Sequence, residues 1–206
     1  MAAEINAEGW DGLKKILVIL AHPDDPEFFC GATLARWTSM GHTVVYCLLT
    51  CGDKGTKDRN LESDQLCSIS QDEQRKAAFV LGVTQVRFLC YPDGYLVADL
   101  GLRRDVTRII RQERPDVLVT CDPTTLFFNN QSINHPDHRA AAQARSQKQR
   151  RPLPAPGESA ASAGTEPPLP AAEPAGEVIT VIRPAEDENA FTIEREEDGW
   201  RVHGVR

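Results

Sequence analysis

The feature that most constrains the fold is an alternation, between residues 14 and 143, of short apolar runs with longer amphipathic stretches. Such alternation is typical of parallel βαβ units. The apolar runs are rich in Val, Ile and Leu and predict four strands, at residues 15–20, 43–49, 86–90 and 116–120. Because their apolar character is continuous, both faces of the sheet should be covered by helices. We predict an α/β fold, Rossmann-like and doubly wound, with a mainly parallel sheet and helices on both faces.

Three helices are predicted between these strands, at residues 30–40, 64–81 and 99–113. The second ends at Gly82 and the third just before Pro115, and both residues are typical helix stop signals. A further helix is predicted where the chain reads Arg139-Ala-Ala-Ala-Gln-Ala.

The composition changes after residue 144. Residues 151–176 contain 7 Pro, 7 Ala and 3 Gly and almost nothing that could be buried, which is typical of a disordered linker. Beyond it, three short strands are predicted at 178–182, 191–195 and 200–203. The chain is therefore divided into three predicted parts: a domain at 13–146, a Pro/Ala-rich linker at 147–176 and a short β-rich segment at 177–206.

Charge and hydropathy restrict the possible partners. The net charge of -7 argues against a nucleic-acid partner, because phosphate backbones bind basic surfaces. No apolar run approaches the roughly 20 residues that cross a bilayer, and the acidic N-terminal stretch lacks the basic start of a secretion signal. We expect a cytoplasmic protein with a small-molecule partner, and the oligomeric state stays open.

Six cysteines are scattered along the chain without a Cys-x-x-Cys pair. Several lie inside apolar patterns, which predicts buried, reduced thiols. A structural zinc site on Cys47 and Cys51 would need two further ligands, and none follows at a usable spacing.

Two clusters of histidine and aspartate follow predicted strands. The first strand runs into Ala21-His22-Pro-Asp24-Asp25, and the last leads to Asn134-His135-Pro-Asp137-His138. Open α/β sheets carry their functional sites at the carboxyl ends of strands, so the two clusters can converge. Either cluster alone is typical of a turn with a capping Asp. Two such clusters after strands, in a chain with only five histidines, favour a shared site.

A catalytic zinc takes three protein ligands and keeps one position for water, whose pKa falls to about 7. His22, Asp25 and His138 supply such a set. Asp24, next to a ligand, is the predicted general base. His135 is predicted to stabilise the oxyanion or protonate the leaving amine, and Asp137 to orient a neighbouring imidazole.

Other functions fit the residues less well. A nucleotide-binding Rossmann protein is excluded because His-Pro-Asp-Asp, and not a glycine turn, follows the first strand. A metal-dependent phosphoesterase stays possible from the ligands alone, although it would be expected to have more cationic contacts near the site.

The two clusters, with His-Pro-Asp-His-Arg-Ala-Ala in the second, resemble the LmbE-like, or PIG-L, family of metal-dependent N-deacetylases. Three segments between them are also similar to that family, and the likeness covers roughly residues 13–144: Thr50-Cys-Gly-Asp-Lys-Gly, the Glu73-Gln-Arg-Lys-Ala-Ala helix with Leu81-Gly-Val, and Tyr91-Pro-Asp-Gly.

The resemblance implies a specific chemistry. Family members remove acetyl groups from N-acetylglucosamine-type sugars and conjugates, with zinc at the positions matching His22, Asp25 and His138. The first Asp of the motif, Asp24, matches their base, and His135 matches their oxyanion histidine. Asp93, in the Tyr-Pro-Asp-Gly segment, matches a residue that faces the sugar.

The chain departs from the family at two points. An arginine that members often carry before the Glu-Gln-Arg motif is Ser70 here. Members also continue past the His-Pro-Asp-His helix with further strands and helices, so we expect a domain that is truncated at its C-terminal side. The last 25 or so residues instead resemble the start of the C-terminal domain of Obg-type GTPases. A phosphate-binding Gly-Lys-Ser/Thr loop does not occur in the sequence, so GTPase activity is not implied.

These observations predict a zinc-dependent hydrolase that removes an N-acetyl group from an N-acetylglucosamine-type sugar or conjugate. Its water nucleophile would be activated by Asp24. Iron(II) or another divalent ion could replace zinc, since N/O ligand sets accept several metals. The alternative is a catalytically impaired or regulatory binding protein with the same fold, arising from truncation or fusion.

Overall fold

The structure, a computed structural model, describes residues 8–58, 60–128, 132–145, 178–182, 191–196 and 199–204. Four helices lie within these ranges: α1 Asp25–Ser39, α2 Ser63–Val80, α3 Leu100–Glu113 and α4 Pro136–Arg145. The strands are β1 Lys15–Leu20, β2 Thr43–Thr50, β3 Gln85–Tyr91, β4 Val117–Cys121, β5 Phe127–Phe128, β6 Ser132–Ile133, β7 Val178–Ile182, β8 Phe191–Glu196 and β9 Gly199–Gly204.

The sheet has the strand order β3-β2-β1-β4-β7-β9-β8, and β5 and β6 form a separate two-stranded sheet. The first four of these strands pair in parallel, so their carboxyl ends share one edge. The chain moves outwards from β1 to β2 and β3 and then returns to place β4 on the other side of β1. The strand order therefore reverses between β1 and β4, which is where open α/β sheets form ligand crevices.

Each face of the sheet is covered by helices. On one face Val18 and Leu20 pack with Leu34 and Trp37 of α1, and Ala78 of α2 joins this cluster. On the other face lie side chains of β1, β2, α3 and α4, among them Leu17, Ile19, Val45, Leu102, Val106, Ala140, Ala141 and Ala144. The predicted doubly wound α/β fold is confirmed.

One prediction for the local structure was wrong, and one element was missed. Helix α1 begins at Asp25, five residues before its predicted start, because Pro26 occupies the first helical turn, where its missing N–H costs nothing. The backbone of Cys30 is non-helical, so α1 is kinked where the prediction had placed its beginning. The β5–β6 hairpin was also missed, since strands of two residues are too short to show an alternating pattern.

The C-terminal strands are described by their backbone. Strand β7 pairs in parallel with β4 and with β9, and β8 pairs antiparallel with β9. The bounds of all three strands lie within two residues of the predicted bounds. The predicted linker at 147–176 lies outside the described residues, and the division of the chain into three parts stays a prediction.

The prediction for the cysteines was correct for three and wrong for three. Cys30, Cys47 and Cys121 are buried free thiols, whereas Cys51 and Cys67 form a disulfide and Cys90 is exposed. The Cα atoms of Cys51, which follows β2, and Cys67, in α2, are 5.0 Å apart. Local sequence does not indicate this contact. Among the described residues, none of the helices is long and apolar enough to cross a membrane.

Candidate metal centre and active site

The two histidine and aspartate clusters meet beyond the carboxyl ends of β1 and β4. His22 Nδ1 lies 3.2 Å from His138 Nε2, and Asp25 Oδ1 lies 3.1 Å from the same His138 atom. Ligand atoms of His22, Asp25 and His138 all lie within 4.8 Å of one another. A second set, in which His135 and Asp137 join His22, satisfies the same limit. The structure therefore brings the three predicted ligands together, although His22 and His138 are 116 residues apart along the chain.

A tight turn at the end of β1 fixes Asp25. Its Oδ2 atom accepts hydrogen bonds from the backbone N–H groups of Ala21, at 3.1 Å, and His22, at 2.8 Å. The carboxylate also lies in the first turn of α1, where the helix dipole favours negative charge. Oδ1 is left to face His138.

Asp24 adopts a left-handed backbone conformation, with φ of 76°. Aspartate tolerates this region better than most residues, and such strain is concentrated at functional sites. Asp24 precedes α1, yet its side chain makes no capping hydrogen bond to the helix. Its backbone N–H donates to Gln74 Oε1 at 2.6 Å. The carboxylate is thus held beside the metal-ligand candidates without being used by the helix.

Asp137 is fully buried and anchors the second cluster. Its carboxylate accepts from the backbone N–H groups of Gly94, at 2.7 Å, and Leu96, at 3.1 Å. Gly94 has φ of 82°, a conformation that favours glycine, which explains the glycine of the Tyr-Pro-Asp-Gly segment. Asp137 Oδ2 also lies 3.2 Å from His22 Nε2. The predicted orienting role of Asp137 is therefore directed at His22.

The remaining predicted site residues, Asp93 and His135, lie beside His22. Asp93 Oδ1 lies 3.2 Å from His22 Nε2. His135 stands just before α4 and is not part of it, and its Nδ1 accepts from the backbone N–H of Asp137 at 3.2 Å. The rings of His135 and His138 have centroids 5.4 Å apart.

Burial and contacts with neighbouring charged groups together shift the pKa values of the cluster. Desolvation lowers the pKa of His22, but the hydrogen bond to Asp25 and the surrounding carboxylates outweigh it and raise the pKa to about 9. Burial raises the pKa of Asp25, yet its contacts with His138 and His22 bring it down to about 2. Desolvation and the adjacent Asp25 carboxylate raise the pKa of Asp24. Burial and the nearby His22 lower the pKa of His135.

A cleft of about 990 Å³ opens above these residues. All of the predicted site residues except the buried Asp137 line it, as do Phe28, Ser70 and Glu73. Among the described residues that line the cleft, none is Lys or Arg.

Sequence reasoning missed a polar bridge beneath the cleft. Gln74 is buried and donates from Nε2 to both carboxylate oxygens of Glu27 at 3.0 Å, while its Oε1 atom holds the Asp24 backbone. Glu27 lines the cleft, and burial raises its pKa. Gln74 lies in the Glu73-Gln-Arg motif, and this was the available sequence signal for a role at the site. Its hydrogen-bond partner Asp24, however, lies 50 residues away along the chain.

Comparison with known proteins supports the likeness found in the sequence. The model of the family described as "PIG-L: GlcNAc-PI de-N-acetylase" matches residues 17–147. A diacetylchitobiose deacetylase of Thermococcus kodakarensis is 34% identical over 134 residues, which are 65% of this chain and 48% of that protein. A 1D-myo-inositol 2-acetamido-2-deoxy-alpha-D-glucopyranoside deacetylase of Kineococcus radiotolerans is 29% identical, over 64% of this chain and 43% of its own length.

Solved structures give the same result for the fold. The N,N'-diacetylchitobiose deacetylase of Pyrococcus horikoshii superimposes with a TM-score of 0.59 at 35% identity, covering 64% of this chain and 47% of that one. A conserved protein of Thermus thermophilus superimposes with a TM-score of 0.52 at 29% identity, covering 65% and 53%. The chain spans about half the length of the curated relatives it matches.

Proposed function

The chain belongs to the PIG-L family, and we propose that it is a metal-dependent N-deacetylase acting on an N-acetylglucosamine-type sugar or conjugate. The observation that carries this proposal is the convergence of His22, Asp25 and His138 in one cleft. The substrate class is supported by the two curated relatives, which are named for deacetylation of such sugars. The cytoplasmic location stays a prediction from the sequence.

The donor set fits a divalent cation. His22 Nδ1 and His138 Nε2 face each other at 3.2 Å beside an ionised Asp25. A cation bound by the three residues would give each of these two nitrogen atoms a partner. Two imidazoles and one carboxylate suit zinc, and iron(II) is the main alternative. When bound, the metal would act as a Lewis acid and lower the pKa of a water molecule to about 7.

Carboxylates behind His22 complete this arrangement. With Nδ1 directed at the cation site, Nε2–H can donate to Asp137 or Asp93, both at 3.2 Å. Partners of this kind fix the tautomer and the orientation of a ligand histidine. Asp137 is held rigidly by two backbone N–H groups, so it is the stronger orienting residue. Asp93 lines the cleft and is also available to a sugar hydroxyl.

Asp24 is suited to accept a proton from the attacking water. Its side chain is exposed to the cleft, and its raised pKa lies closer to neutral pH, where a general base is most effective. His135, whose ring centroid lies 4.8 Å from that of His22, accepts a hydrogen bond at Nδ1 and can therefore donate one from Nε2–H to the carbonyl oxygen as it becomes an oxyanion. The substrate amide would lie beside both residues, so that Asp24 takes up the proton of the water and His135 stabilises the oxyanion.

The test compares Asp24→Asn with the parent and with Asp72→Asn, the same change at an exposed carboxylate of α2. Amine release from N,N'-diacetylchitobiose should fall about 10²–10⁴-fold in Asp24→Asn, the contribution of a general base, with bound metal unchanged. Asp72→Asn should match the parent.

Two outcomes would contradict the proposal. Full activity in Asp24→Asn would place the base elsewhere. A metal-loaded, monodisperse parent chain that releases no amine from any acetylated amino sugar would favour the alternative, a binding protein with the same fold.

A further inference from the structure

Three sulfur atoms cluster beside the cleft but outside the metal-ligand candidates. The Sγ atoms of Cys51, Cys67 and Cys90 all lie within 4.8 Å of one another. Cys51 follows β2 and is bonded to Cys67 of α2, whereas Cys90, in β3, is a free and exposed thiol. A disulfide with a third thiol at this distance is the arrangement that thiol–disulfide exchange requires.

A bulge in β3 places Cys90. Between the pairs Leu48–Phe88 and Thr50–Tyr91 the register shifts, so that one residue of β2 faces two residues of β3. Cys90 lies in this bulge with φ of 53°, a left-handed conformation that cysteine rarely adopts. Bulges turn a side chain away from its regular direction, and here the thiol faces α2 and the disulfide.

Gln71 joins two of the sulfurs. Its Nε2 atom lies 3.3 Å from Cys67 Sγ and 3.5 Å from Cys90 Sγ, so one amide group can donate to both. The shared donor thus links Cys90 to Cys67, whereas Cys51, the other partner of the disulfide, is buried.

We propose that Cys51, Cys67 and Cys90 form a thiol–disulfide exchange site. The Cys90 thiolate attacks Cys67 Sγ, the Cys67–Cys90 bond forms, and the Cys51–Cys67 bond breaks with its electron pair on Cys51. Cys51 then takes up a proton in place of the one that Cys90 lost. The exchange conserves electrons, so it needs neither an external oxidant nor a reductant.

The exchange acts on the wall of the cleft. Gly52 and Gly55, in the loop that follows Cys51, line the cleft, and so do Ser70 and Glu73 of α2. The Cys51–Cys67 bond ties these two parts of the wall together, whereas the Cys67–Cys90 bond ties α2 to β3 and releases the loop after Cys51. The site therefore couples the disulfide arrangement to the shape of the cleft, whatever the substrate is.

Peptide mapping of the full chain tests the proposal. Oxidised protein is held at pH 8, quenched with acid, alkylated in denaturant and digested with trypsin, and the linked peptides are identified by mass spectrometry. Lys54, Arg75 and Arg87 separate the three cysteines into different peptides. Cys47 shares a peptide with Cys51, so Cys47→Ala serves as the matched control and should give the parent's linkages.

The parent should contain both the Cys51–Cys67 and the Cys67–Cys90 linkages, and Cys90→Ser should lose the second one completely. Cys51→Ser, oxidised with glutathione disulfide, should acquire the Cys67–Cys90 linkage. The proposal is overturned if Cys90 of the parent is always fully alkylated, or if Cys51→Ser leaves Cys67 and Cys90 unlinked.

Discussion

The two edges of the parallel sheet carry charged clusters of opposite character. At the amino edge, Glu113 at the end of α3 meets Lys15 Nζ at 2.8 Å and the guanidinium of Arg87. At the carboxyl edge, the imidazole of His22 meets three carboxylates, those of Asp25, Asp93 and Asp137, at 3.2–3.5 Å. One cluster has two cations for one carboxylate, and the other has an excess of carboxylates in a partly buried site.

This difference in charge balance indicates that the Glu113 cluster stabilises the fold, whereas the His22 cluster is suited to a function. Lys15 and Arg87 are about one-third exposed, so water solvates their excess positive charge. Asp25 and Asp137 are nearly or fully buried, and buried carboxylates require compensating positive charge. The proposed cation would supply that charge at the carboxyl edge. The amino edge needs no ligand, and four substitutions test this contrast.

Asp25→Asn should have the largest effect. It removes a candidate ligand and a buried negative charge, so metal affinity should fall by more than the roughly 10–100-fold that follows loss of a residue that only orients a ligand. Competition with a chelator measures the affinity, with Asp72→Asn as the control. Unchanged affinity in Asp25→Asn would assign the metal to other residues, such as the set that contains His135 and Asp137.

Asp137→Asn should have the next largest effect. An amide NH₂ group would face the N–H groups of Gly94 and Leu96, or leave them with a weaker acceptor, and the hold on His22 would be weakened. Metal affinity should fall about 10–100-fold, and the free energy of unfolding by about 1–3 kcal/mol. Chelator competition and urea denaturation measure the two quantities. Lower stability with full metal affinity would show that Asp137 acts only on the fold.

Glu113→Gln at the amino edge should change stability and leave metal affinity unaltered. Burial raises the pKa of Glu113, but the contacts with Lys15 and Arg87 outweigh it and lower the pKa. The loss of unfolding free energy at pH 7 should be about 1 kcal/mol, because both cations are partly exposed.

The pH dependence of this variant follows from the sign of the shift. A lowered folded-state pKa means that ionised Glu113 stabilises the native state above its unfolded pKa of about 4.3. The contribution is lost as pH falls through the lower folded-state pKa. The difference in unfolding free energy between the parent and Glu113→Gln should therefore shrink below about pH 4.3, as measured by urea denaturation at a series of pH values. A difference that stays constant down to pH 3 would contradict the ion-pair explanation.

Arg108→Ala should have the smallest effect. Arg108 of α3 is exposed, and it pairs with Asp105 of the same helix at 2.9 Å. Exposed pairs of this kind contribute less than about 0.5 kcal/mol, and metal affinity should not change. A larger loss of stability would mean that the Glu113 cluster contributes no more to stability than an exposed ion pair does.

The fold was largely predictable because its strands are marked by local composition. The four parallel strands were predicted within one or two residues of their observed bounds, since runs such as Lys-Ile-Leu-Val-Ile-Leu are continuous and flanked by polar turns. The start of α1 was misplaced because Pro-Asp-Asp-Pro is equally typical of a turn and of a helix N-terminus. The β5–β6 hairpin had no pattern long enough to detect.

The candidate site was predictable only as far as residue types and strand ends allow. His22, Asp25 and His138 were proposed because each follows or flanks a strand end. The contacts of Gln74 with Glu27 and Asp24 could not be predicted, because they join residues that are 47 and 50 positions apart. The Cys51–Cys67 disulfide and its neighbour Cys90 depend in the same way on how α2 packs against the sheet.

By itself, the sequence determined the order of strands and helices and put two histidine and aspartate clusters at one edge of a parallel sheet. Local periodicity is sufficient for both, because strand direction decides which edge each loop occupies. Tertiary structure alone decided which atoms meet. The 3.2 Å approach of His22 to His138 depends on β4 lying beside β1 and on α4 packing behind both strands. Contacts of that precision arise from packing between distant segments, and local sequence does not encode them.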